Sequence, residues 1–166
     1  PMNATAAPVP APLWRRLAAL VYDLVAVLAL VMVIGMLCQI VTRGALIATQ
    51  GGHIDAPWWY PALQLAAIAA YFVLSWTRGG QTLGMRPWRM RVVAAGDTPR
   101  AGRALLRFAV AAAPLLLLAL GRVLDVRQVF AAMVLVWAID FAVALIDRRR
   151  RALHDLLAGT EIELRR

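Results

Sequence analysis

The run from Trp14 to Ile40, WRRLAALVYDLVAVLALVMVIGMLCQI, decides what this chain can fold into. It opens on two arginines and then turns apolar, with Asp23 its one acid and no charge from Leu24 to Leu37. A stretch of this length and hydrophobicity reads as a helix crossing a bilayer, with Arg15 and Arg16 at the membrane surface. Asp23 then lies about 10 Å deeper along the helix axis. An ionisable side chain at that depth costs roughly 2.5–3.5 kcal/mol on insertion scales. A cation, a proton or water in a polar cavity must compensate it. Arg16 shares a helical face with Asp23, but its long side chain is expected to snorkel towards the headgroups. The partner of Asp23 is therefore expected on another helix.

Composition agrees with a membrane protein: 62% of the 166 residues are hydrophobic, above the usual share for a soluble domain. All 18 basic residues are arginine and the net charge is +9. In a soluble chain that balance would suggest nucleic acid. Here the arginines stand beside apolar runs, so anionic lipid headgroups are the better partner and nucleic acid is not expected. Most of these arginines need do no more than set the topology. A single cysteine, Cys38, excludes an internal disulfide. Residues 1–12 are Pro- and Ala-rich, uncharged, and read as a disordered lead-in rather than a signal peptide. Residues 13–166 then form one domain.

Four spans are expected, at about residues 14–41, 58–77, 102–121 and 128–147. Trp58, Trp59 and Tyr60 bracket one end of the second, and Tyr71, Phe72 and Trp76 the other, as in an aromatic belt. The third is the least obvious: its uncharged run from Phe108 to Gly121 is short, Arg103 and Arg107 lie on its first turns, and Pro114 should kink it. The arginines decide the count. Arg15 and Arg16, the 78–107 segment and Arg148 to Arg151 are basic, whereas the 42–57 and 121–127 links are not. The positive-inside rule then puts both termini and the central loop in the cytoplasm, which four spans satisfy and three do not. The fold class is an all-α membrane protein: four transmembrane helices with a basic amphipathic cytoplasmic loop between spans 2 and 3. In that loop Arg86, Trp88, Arg89 and Arg91 are expected among lipid headgroups or against a partner, as are Arg148, Arg149, Arg150 and Arg151. MRVVAAGDTP can form a hairpin turning at Gly96-Asp97, and EIEL a short strand. GGQTLG is only superficially a phosphate loop, because it lacks the Gly-Lys-Ser/Thr ending.

Asp140 lies eight residues before Arg148, about 12 Å into the fourth span. Asp23 and Asp140 thus reach similar depths in the cytoplasmic half, and Arg103 and Arg107 enter from the same side. Asp147 shares a face with Asp140. These charges can be ion pairs that register the helices. Alternatively, one acid can carry a proton on a transport path, since burial in a low dielectric favours the neutral acid. His154-Asp155 either forms a pH-sensitive pair or tethers the last helix. Two histidines and one cysteine, far apart, do not suggest a metal site, and no arrangement suggests hydrolysis or a cofactor.

Four segments in order, WRRLAALVYDLVAVL, GGQTLGMRPWRMRVV, RALLRFAV and RRRRALHDLLAGTEI, resemble the RDD family of bacterial membrane proteins. The resemblance runs from about residue 12 to 164. The family is named for one arginine and two aspartates. Arg16 and Asp23 fit the first two, and Asp155, with Asp147 as the alternative, fits the third. The resemblance implies transport of unspecified ligands, with sodium/proton exchange in some members. Asp140 lies outside its pattern.

Two functions follow as expectations. One is a small proton-coupled cation transporter of the bacterial inner membrane, oligomeric, with Asp23 titrating, Asp140 a second acid, and Arg16 and Arg107 tuning them. The other is a non-catalytic accessory subunit that binds a membrane-protein partner or anionic lipids. An enzyme is not expected.

Overall fold

The computed structural model describes residues 9–50, 53–122 and 124–165. In chain order these form α1 (Leu13–Val41), β1 (Ala48–Gln50), β2 (His53–Asp55), α2 (Trp59–Gly79), β3 (Met90–Val93), α3 (Ala101–Ala112), a 3-10 helix (Ala113–Arg122), α4 (Val126–Ile146), α5 (Leu153–Ala158) and β4 (Glu161–Leu164). Four helical stretches are long and apolar enough to cross a membrane: Leu13–Val41, Trp59–Gly79, Ala101–Leu118 and Val126–Ile146. Much of their apolar surface faces outward, with Val25, Met32 and Ile40 of α1 each 65% exposed. Side chains of this kind on every long helix are what lipid solvates. The chain is a multi-pass membrane protein.

The third span is built in two parts. Pro114 has no N–H with which to continue the helical ladder. At that point α3 ends, the Ala113 N–H bonds Val110 O, and the chain winds on as a 3-10 helix. The tighter winding rises faster per residue. Ala101–Leu118 therefore reaches about 30 Å, the thickness of the hydrocarbon core. The uncharged run is short, and the geometry makes up the difference.

Two small antiparallel sheets complete the fold. β1 and β2 pair antiparallel in the first link, Ala48 opposite Asp55. The strand β3 pairs with β4, Met90 opposite Leu164 and Val93 opposite Glu161. This corrects the hairpin expected over MRVVAAGDTP. The Gly96-Asp97 turn forms, closed by a single bridge between Ala94 and Asp97, but β3 bonds the distant EIEL strand instead of folding back. Met90, Val92, Val93 and Ile162 gain burial from that pairing. Met85 and Met90 accordingly point into the protein rather than into headgroups, while Arg86 and Arg89 stay exposed.

The lead-in is also corrected in part. Ala11 N donates to Ile162 O at 2.9 Å and Leu164 N to Val9 O at 3.0 Å, so Val9–Ala11 is held along β4. The free edge of a two-stranded sheet recruits the passing chain. Residues 1–8 lie outside the described residues. The core sits at this end of the bundle, where Ala11, Ala19, Trp76, Met85, Met90 and Ile162 pack together with Phe72 and Phe108.

Candidate functional site: the buried aspartates

Asp23 sits on α1 and is 4% exposed. Tyr71 Oη donates to its Oδ1 at 2.7 Å, the Gly84 amide donates to the same oxygen at 2.9 Å, and Thr82 Oγ1 donates to Oδ2 at 2.6 Å. All three donors are neutral. Tyr71 comes from α2, and Thr82 and Gly84 from the turn that follows it. That turn begins at Gly80, left-handed at φ 68°, where a Cβ would stand 2.8 Å from Val92 O. It presses so closely on α1 that a Cβ at Gly84 would collide with Ala19 O and lie 2.7 Å from Asp23 Cγ. GGQTLG thus binds a carboxylate of its own chain. The sequence reading missed Tyr71, Thr82 and Gly84. A glycine-rich turn directly after a span was the available signal.

Asp155 is fully buried and takes two guanidinium groups. Arg16 Nη1 is 2.9 Å from its Oδ2, and Arg107 Nη1 is 2.7 Å from its Oδ1. Both arginines are buried, Arg16 at 4% and Arg107 at 3% exposure. The Ala152 amide donates to Oδ2 at 3.1 Å, so Asp155 also caps the start of α5. Burial pushes this carboxyl up, but the guanidinium charges of Arg107 and Arg16, with the neighbouring His154 ring and the Ala152 amide, outweigh it and hold Asp155 below the ordinary carboxylate value. Arg107 further lies over the Trp76 ring, 4.7 Å from its centroid, and 3.4 Å from Thr160 Oγ1. This one acid joins α1, α3 and α5. The expectation that Arg16 snorkels outward is corrected: Asp155 offers it a buried partner.

Asp140, 7% exposed, is met by a histidine. The His154 amide donates to Oδ1 at 2.9 Å, and His154 Nδ1 lies 2.6 Å from Oδ2. His154 Nε2 is 3.3 Å from Arg107 Nη2 and 3.6 Å from Asp155 Oδ1. An ionised carboxylate only accepts and a guanidinium only donates. The neutral ring that satisfies both carries its hydrogen on Nδ1 and accepts at Nε2. His154 thus tethers the last helix, one of the two roles expected of it. It is buried at 6% exposure, with the ring of Phe141 5.8 Å away.

The remaining charges lie outside this set. Asp147 forms a two-pronged pair with Arg151, Nε to Oδ2 at 3.0 Å and Nη2 to Oδ1 at 3.0 Å. Its Oδ2 also accepts the Arg149 and Arg151 amides. Arg151 therefore holds the Asp147 carboxyl well below the usual carboxylate range. Among the described residues Arg103 reaches only Gly159 O, at 3.5 Å. Arg91 pairs with Glu163 at 3.4 Å and Arg149 with Glu161 at 3.6 Å. Arg86, Arg89, Arg148 and Arg150 are exposed, and Trp88 is half-buried, edge-on to Trp14 at 5.4 Å.

The anticipated convergence of acids and arginines is thus divided. Arg16, Arg107, Asp140, His154 and Asp155 form one chain of contacts, while Asp23 stands apart on neutral donors. Comparison of the sequence with curated proteins and with solved structures gave no match. A family model, the RDD family, matches residues 10–159 and so covers both groups of buried acids. The chain, with Arg16 near the start of α1 and Asp23 within it, belongs to the RDD family.

Proposed function

We propose that this chain is a small proton-coupled cation transporter of the bacterial inner membrane, a carrier rather than an enzyme. It works as a homo-oligomer with both termini in the cytoplasm. The observation that carries this reading is the placing of the arginines. A bundle that used its charges only to register helices would pair each buried acid with an arginine. Here Arg16 and Arg107 both go to Asp155. Among the described residues Asp23 and Asp140 have no guanidinium within ion-pair distance. An acid in a membrane bundle without a fixed countercharge is free to take a mobile one.

The two acids have different surroundings, and we assign them different cargo. Asp140 with His154 takes the proton. Protonation of His154 at Nε2 would set an N–H against the Arg107 guanidinium, and Asp155 Oδ1 is the acceptor to which that N–H can turn. Asp23 takes the cation, because the hydroxyls of Tyr71 and Thr82 carry lone pairs that can turn towards a hard ion. Asp155 and Arg16 link the two sites: Asp155 adjoins His154, and Arg16 is two helical turns from Asp23 on α1. The distribution of arginines supports the orientation.

Proteoliposomes of the purified protein test this reading. A sodium gradient should drive proton movement in the opposite direction, visible with a lumenal pH dye. A folded, membrane-inserted protein that moves no protons would contradict it. The exposed arginines Arg86, Arg89, Arg148 and Arg150 would then favour the second reading, an accessory subunit that binds a membrane-protein partner or anionic lipids.

A further inference from the structure

Three arginines from two distant parts of the chain meet at one open cavity. It has a volume of about 220 Å³ and is lined by Gln81, Arg86, Arg89 and Arg165. Gln81 follows α2, Arg86 and Arg89 belong to the turn before β3, and Arg165 follows β4. None of the four is acidic. Among the described residues none of these arginines forms an ion pair, whereas Arg91 on the same segment is taken by Glu163.

The backbone beneath is fixed. Arg89 adopts φ 51°, a left-handed conformation that is unfavourable for a branched-off side chain and persists only when its surroundings demand it. Its amide bonds Arg86 O at 3.1 Å, and its carbonyl accepts the Arg165 amide at 2.6 Å. Gln81 Nε2 bonds Met90 O at 2.7 Å, and Arg165 Nη1 reaches Gln81 Oε1 at 3.5 Å. The pairing of β3 with β4 therefore brings Arg165 beside Arg86 and Arg89. Trp88, between those two in sequence, packs edge-on against Trp14 at the start of α1. The cavity thus opens at the end of the bundle where α1 enters the membrane.

We propose that this cavity binds a phosphate group carrying net negative charge, the chemistry shared by an anionic phospholipid headgroup and free phosphate. Guanidinium groups match phosphate oxygens in geometry and charge. Three of them, with no acid beside them among the described residues, are otherwise left to repel one another. The site stands independently of the transport reading, since it uses none of the buried acids.

The full-length protein in a neutral detergent is titrated with inorganic phosphate, phosphatidic acid micelles or phosphatidylcholine micelles, with thermal unfolding and affinity as readouts. The variant R89Q/R165Q removes two of the three cations at exposed positions. R43Q/R127Q removes the same charge from exposed positions in the two other links. Phosphatidic acid should bind and raise the unfolding temperature, more strongly than phosphatidylcholine. R89Q/R165Q should weaken it by about tenfold or more, one lost charge-assisted contact being enough for that, while R43Q/R127Q stays close to wild type. Binding of phosphatidic acid alone identifies a lipid headgroup. Competition by inorganic phosphate, or phosphate binding alone, identifies the phosphate group itself as sufficient. No binding of either, or equal weakening by the two variants, overturns the proposal.

Discussion

His154 and Asp140 meet through two hydrogen bonds: the histidine amide reaches one carboxylate oxygen at 2.9 Å and ring Nδ1 the other at 2.6 Å. The short helix α5 is thereby fastened to α4, and the other ring nitrogen is turned towards Arg107. In the neutral ring this geometry requires the Nδ1–H tautomer. Nitrogen-15 shifts of the His154 ring should report that tautomer in the wild type. They should report a changed tautomer balance in Asp140→Asn, whose amide can donate to Nδ1. An Nε2–H ring in the wild type would contradict the network.

Asp155→Asn should be the most damaging conservative change in the chain. It leaves two buried guanidinium groups facing an uncharged amide. Removing one partner of a buried ion pair typically costs about 3–5 kcal/mol. A large fall in the thermal midpoint in detergent is expected, together with loss of helical signal. A variant as stable as wild type would mean that Arg16 and Arg107 find other partners.

Gly84→Ala tests the close approach of the turn to α1. The added methyl meets Ala19 O and Asp23 Cγ, and overpacking of this kind costs about 1–3 kcal/mol. Gly102→Ala is the control. Nothing lies within 4 Å of its Cβ position, and an alanine near the start of α3 should be neutral or stabilising by up to about 1 kcal/mol. Equal midpoints for the two variants would show that the turn is not seated on α1.

The sequence made the spans legible because lipid demands long apolar runs, and Trp14–Ile40 satisfies that demand without ambiguity. Arg16, Asp23, Asp140 and Asp155 stood out because charge in such runs is costly. Their pairing was not legible. Which arginine meets which acid depends on helix rotation, and both arginines chose Asp155. Tyr71 read as an interface aromatic because its hydroxyl partner lies on another helix. The pairing of β3 with β4 joins segments some seventy residues apart, as Arg91 opposite Glu163 shows, and local pattern carries no trace of it.

Stability should depend on acid through Asp147. Its carboxyl is held below its ordinary value in the folded protein by Arg151. The pair therefore contributes fully above the unfolded value, about 3.9, and the contribution fades as pH falls through the lower folded value. The midpoint difference between wild type and Arg151→Gln should be constant near neutral pH and shrink below about pH 4. Salt should reduce it, as for any pair near the surface. A difference that grows with acid would reverse the sign and refute the assignment.

The most direct test of transport by the buried acids compares Asp23→Asn, Asp140→Asn and Asp155→Asn for stability and for sodium-driven proton flux in the same proteoliposomes. In Asp23→Asn the remaining oxygen can still accept from Tyr71 and Gly84, while the amide turns to Thr82. This variant should stay folded and lose flux. Asp140→Asn should also lose flux, with a moderate loss of stability, and Asp155→Asn should fail mainly by unfolding. Wild-type flux from a folded Asp23→Asn or Asp140→Asn protein would contradict the claim that the acids without arginines carry the cargo.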